Sequence, residues 1–159
     1  MKQQKCIDTK ELNAFTLYYG GNGHGKSRKI RELNEFSNVY NVNYENGYSF
    51  EIYEDAIKEV AELLWGEPIN YDHQLSTSQM LIVNIAKEYV LIRDLTPGVV
   101  TFDSLPATLD STRMSNLFGL FKLLVNLGHK VIFATAIETY KSRFLEFFKN
   151  EDMTVVNFD

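Results

Sequence analysis

The sequence predicts an α/β fold, a mostly parallel sheet flanked by helices, and two observations carry that prediction. Strand-like and helix-like segments alternate along the chain. Parallel strands need such an order, because each crossover must return the chain to the same end of the sheet. The second observation is residues 20–27, Gly-Gly-Asn-Gly-His-Gly-Lys-Ser. Gly20, Gly25, Lys26 and Ser27 satisfy G-x-x-x-x-G-K-[ST], the pattern of a phosphate-binding loop. An apolar run precedes it and a helix-like stretch follows, which is the setting the pattern requires.

Taken in order, Phe15–Tyr19 is the first predicted strand and Ser27–Phe36 the helix that carries the loop. Strands are predicted at Asn38–Val42 and Tyr48–Tyr53, separated by a turn at Asn46-Gly47. Glu54–Trp65 reads as an amphipathic helix, with Ile57, Val60, Ala61 and Leu64 at helical spacing. Gly66–Gln74 is a loop. Ser76–Ile92 is a long helix with Ile82, Ile85, Ala86, Tyr89 and Val90 on one face. Val99–Phe102 is a short strand introduced by Pro97-Gly98. Ser111–Leu127 is a helix that Gly128 closes. Val131–Thr135, Glu138–Phe148 and Met153–Phe158 follow as strand, helix and strand.

A chain of 159 residues is expected to form a single domain, 1–159, with its own core. Hydrophobic residues at 45% and charged residues at 23% place it with ordinary soluble proteins. The net charge of −5 argues against a broad nucleic-acid surface and leaves room only for a local basic patch. No apolar run approaches the ~20 residues of a membrane helix. No secretory h-region is visible at the N-terminus. Cys6 is the only cysteine, so a reducing cytoplasm is the expected location and a buried or partly buried, inert thiol the expected state.

The loop pattern has a direct chemical meaning. Its backbone N–H groups converge on an anion, and the helix N-terminus adds partial positive charge. Lys26 neutralises terminal phosphates and Ser27 ligates Mg²⁺, which makes a nucleoside triphosphate the expected ligand. Asn22, Gly23, His24 and Arg28 complete the expected nucleotide-binding set around Gly20, Gly25, Lys26 and Ser27. The strand at Val99–Phe102 ends in Asp103, a carboxylate placed to reach the same Mg²⁺. Ser76 is a good N-cap for the helix that precedes this strand. Of the aromatics, Tyr18 and Tyr19 are nearest the loop, and sheet packing is their simpler role.

These pieces, taken in order, resemble the ABC ATPase superfamily of P-loop NTPases. They are Gly20-x-Asn22-Gly23-x-Gly25-Lys26-Ser27, Leu75-Ser76-x-Ser78-Gln79, Asp103, and Leu109-Asp110. The Asn22-Gly23 form is most similar to the SMC, RecF and recombination-ATPase branch. The resemblance implies ATP and Mg²⁺ as cofactors. It also implies that Ser76 and Ser78 bind nucleotide by reaching the γ-phosphate held by a partner protomer, and that with Asp110 they form a face that meets a homodimeric or heteromeric partner. Three departures qualify it. The family's water-orienting glutamate after Asp103 is replaced by Ser104. The expected switch histidine falls at Ala136. The short stretch from Lys26 to Leu75 leaves no room for a large helical or coiled-coil insertion.

Three activities follow from this reading. A nucleotide-dependent interaction module with weak or no hydrolysis fits the loss of the glutamate. An active ATPase serving a DNA-processing or defence partner needs Asp103, through water, or Glu138 to take over at Ser104. A small phosphotransferase needs a lid of clustered arginines. Here Arg93, Arg113 and Arg143 are scattered, and only Arg28 and Arg31 lie near the loop.

Overall fold

The computed structural model describes residues 5–44 and 55–158. The strand predicted at Tyr48–Tyr53 and its preceding turn lie outside them. The described elements are β1 (Phe15–Tyr19), α1 (Lys26–Leu33), β2 (Val39–Asn41), α2 (Asp55–Trp65), α3 (Thr77–Ile92), β3 (Val99–Asp103), α4 (Ser111–Asn126), β4 (Lys130–Thr135), α5 (Glu138–Phe147) and β5 (Met153–Asn157). Every strand pairing is parallel, in the order β2-β3-β4-β1-β5.

Strands buried on both faces read as continuous apolar runs, and this sheet is built that way. Phe15 and Leu17 of β1, Val100 and Phe102 of β3, and Val131 and Phe133 of β4 point to one side. Tyr18, Val99, Ile132 and Ala134 point to the other, where Ile30 of α1 covers them. The first side holds the larger core. There α4 and α5 bring Phe118, Phe121, Phe144 and Phe148 against Phe133, with ring centroids 4.6 to 6.4 Å apart. Pairs of this kind add about 0.5–1.5 kcal/mol each beyond area burial.

The predicted face of α2, Ile57, Val60, Ala61 and Leu64, is the buried one. In α3 burial instead runs unbroken from Leu81 to Ala86, while Tyr89 and Val90 are half-buried. A helix buried nearly all round is one packed on more than one side, and α2 covers it. Cys6 departs from expectation. It is exposed, with Sγ 3.2 Å from the Ser37 hydroxyl. The segment that carries it is held by Asn38, whose carboxamide bonds both the N–H and the C=O of Ile7. None of the described helices is long and apolar enough to cross a membrane.

Candidate functional site: the phosphate-loop cleft

Because all five strands run one way, the ends of β1, β3 and β4 emerge at the same edge of the sheet, where open α/β sheets hold ligands. Tyr19 pairs with Thr135, and Asp103 with Ala134. The phosphate loop therefore leaves β1 level with the Asp103–Ser104 corner, with β4 between them.

Three of the four loop glycines serve different needs. Gly23 and Gly25 have φ of +82° and +101°, where a side chain is strained. Gly20 answers to packing instead. A Cβ there would meet the Phe158 carbonyl oxygen at 2.3 Å. The chain after β5 thus closes directly on the loop. The Phe158 N–H donates to the Tyr19 carbonyl (2.8 Å). The Phe158 carbonyl sits 3.0 Å from His24 Nδ1, and since a carbonyl only accepts, that nitrogen carries the proton. Lys26 is 4% exposed, and its ammonium donates to the carbonyls of Gly20 and Gly21.

A cleft of about 460 Å³ opens over the loop. Asn22, His24, Lys26, Ser27, Arg28, Arg31 and Ser104 line it. A second cleft of about 290 Å³ shares Ser27 and Ser104 and adds Asp103, Asn41, Asn43 and Tyr44. The structure thus brings the predicted pair, Ser27 and Asp103, to one cavity. Its donors are oxygens of a hydroxyl, a carboxylate and carboxamides, which suit a hard cation. No cluster of three or more His, Cys, Asp or Glu side chains exists among the described residues. One carboxylate and one hydroxyl fit Mg²⁺, which keeps waters and takes its other ligands from phosphates. An ion bound there would neutralise charge on terminal phosphates.

Ser104 is the only non-glycine at positive φ among the described residues (+56°). Its N–H donates to the Ala134 carbonyl (2.9 Å), and its hydroxyl donates to Asp103 Oδ1 (3.0 Å). It holds the Asp103 carboxylate and brings no base of its own. Glu138 lines neither cleft. It accepts from the Tyr19 hydroxyl at 2.7 Å, which holds its carboxyl below the usual range, and Lys141 lies over the Tyr19 ring. Tyr18 is buried against Phe158, with ring centroids 5.0 Å apart.

The signature-like residues lie apart from both clefts. Ser76 caps α3 in a reciprocal pair with Gln79. The Ser78 hydroxyl donates to the Thr108 carbonyl (2.9 Å), which ties the start of α3 to the segment before Asp110. Asp110 caps α4 by accepting from the Arg113 N–H, which lowers its pKa. It also pairs with the Arg113 guanidinium, which stacks 3.9 Å over Trp65. The clefts include Arg31, which the sequence placed near the loop, and Asn41, Asn43 and Tyr44, which sequence reasoning did not place there. The end of the strand at Asn38–Val42 was the available signal, and strand order was the missing one.

No protein-family model matches the chain, and no curated protein matches it. A solved structure does: the dimeric structure of MJ0796, a bacterial ABC transporter cassette, is 14% identical, with a TM-score of 0.60. The match covers 92% of this chain and 82% of that one. At that identity the likeness is one of fold, and the fold is that of an ABC cassette.

Proposed function

We propose that this chain is an ABC-like domain that binds ATP and Mg²⁺ and acts as a nucleotide-dependent interaction or dimerisation module, with weak or no hydrolysis. The nucleotide lies on the phosphate loop, with Lys26 on its terminal phosphates and Ser27 and Asp103 at the metal. One observation carries the reading of slow turnover. The position that needs a water-orienting carboxylate holds Ser104, whose hydroxyl is engaged with Asp103. A positioned base is worth roughly 10²–10⁴-fold, and its loss leaves a long-lived bound state. Glu138 is a poor replacement, because Tyr19 holds it outside both clefts.

The partner face is the start of α3 together with Asp110. Ser78 and Thr108 already join these into one surface. A second copy of the chain is the simplest partner, in keeping with the dimeric neighbour in fold. The Asn22-Gly23 form of the loop supports a kinship with the SMC and RecF branch. The lone cysteine, Cys6, supports a cytoplasmic location.

Sedimentation velocity with and without Mg-ATP tests this. The expected result is a shift to a larger species with Mg-ATP that persists for hours, together with phosphate release far below the ~1 s⁻¹ of ordinary enzymes. Lys26→Ala abolishes the shift. A protein that stays monomeric while saturated with Mg-ATP overturns the dimer, and brisk turnover overturns the switch.

A further inference from the structure

Ser27 and Ser104 are shared by both clefts, so they mark the terminal-phosphate end of the site. Arg28 and Arg31 line the larger cleft and not the smaller one. Three residues apart on α1, they rise about 4.5 Å along one side of the helix. Both are exposed, and neither pairs with a carboxylate among the described residues. The two tyrosines that lead into the loop are occupied elsewhere. Tyr18 packs under Phe158, and Tyr19 lies between Glu138 and Lys141. His24 also lines the cleft, and its ring is held by the Phe158 carbonyl.

From this arrangement we infer that the site reads the polyphosphate and holds the nucleoside end through the guanidinium groups of Arg28 and Arg31, so that it accepts purine and pyrimidine nucleoside triphosphates alike. A guanidinium pairs with an inner phosphate through its planar fork and stacks on the face of any base. Stacking is tolerant of sequence because every base presents a π-face, and base identity is normally read by hydrogen bonds to its edge. Arg28 and Arg31 are long, exposed cations on a helix surface, not the fixed polar atoms such readout needs. The inference deepens the nucleotide-binding proposal above and rests on it.

Calorimetry on the full chain with Mg²⁺ separates the two. ATP, GTP and CTP are expected to bind within about fivefold of one another, and inorganic tripolyphosphate is expected to displace them. Arg28→Ala and Arg31→Ala, both exposed, should keep the fold by circular dichroism. They should weaken ATP and CTP by the same factor, about three- to tenfold each. ATP binding more than about twentyfold tighter than CTP overturns base tolerance while leaving nucleotide binding intact. Unchanged affinity in both arginine variants also overturns it. Binding of neither nucleotide nor tripolyphosphate overturns the inference and the proposal beneath it.

Discussion

Ser104 concentrates the residue-scale argument. At φ +56° it occupies the left-handed region, which costs a non-glycine residue about 1–2 kcal/mol, and it does so between the two clefts. Two bonds hold it there, its N–H to Ala134 and its hydroxyl to Asp103. Relief of strain in Ser104→Gly is offset by the greater freedom of glycine in the unfolded chain, so stability should change little. Ser104→Val adds a β-branch at positive φ and removes the bond to Asp103. It should cost roughly 1–3 kcal/mol in urea unfolding. Ser104→Glu tests function: it restores the missing carboxylate and should raise turnover about tenfold, only ~1.4 kcal/mol of barrier. The gain is modest because Ala136 still lacks the switch histidine. Wild-type turnover already at an ordinary enzyme rate, unimproved by Ser104→Glu, would count decisively against the slow-switch reading.

At the scale of elements, the turn between α4 and β4 carries a pH-sensitive group. His129 is 1% exposed. Its Nδ1 accepts the Gly98 N–H at 3.1 Å, and Tyr40 meets its ring edge-on. Burial pushes its pKa below the ordinary 6.5. The folded state therefore holds the neutral ring, while the unfolded chain takes up a proton near 6.5. Stability from this group is fully present above that value and is lost as pH falls from there toward the lower, folded-state value. Urea unfolding should show wild-type stability declining as pH falls below about 6.5, with a shallower decline in His129→Gln. Equal slopes would remove the assignment. The elements themselves were legible in the sequence. Apolar period, caps and glycine stops placed β1, α2, α3 and α4 to within a residue or two, with Ser76 at the N-cap and Gly128 at φ +98°. His129, between the closing Gly128 and the predicted strand at Val131, carried no signal of its own, because nothing local says that Gly98 and Tyr40 will enclose it. Gly20 read as a ligand-facing glycine, yet Phe158, far along the chain, sets its requirement. Asn41 and Asn43 joined the site only because β2 pairs with β3 and not with β1. Local chemistry is written locally, whereas strand order and long-range closure are decided by the packing of the whole chain.

At the scale of the whole molecule, a bound nucleotide engages elements that are distant in sequence. The loop joins β1 to α1, Ser27 shares a cleft with Asp103 at the end of β3, and His24 and Gly20 meet the segment after β5 through Phe158. A ligand on these groups binds the folded chain alone, since unfolding scatters them. It should therefore stabilise by mass action, by about 2.7 kcal/mol at a hundred times its Kd. For a chain of this size each kcal/mol moves the melting temperature by roughly 2–4 °C. Mg-ATP at that excess should then raise the Tm by roughly 5–10 °C. ATP with a chelator should give a smaller rise, because Ser27 and Asp103 lose the ion between them and the phosphates. Lys26→Ala should remove most of both shifts, because its ammonium is the only cation buried within the loop. The chelator comparison assigns the metal: equal shifts with and without Mg²⁺ would detach Asp103 from the site while leaving the loop in it. A melting curve unmoved by millimolar Mg-ATP would remove the nucleotide from the fold altogether.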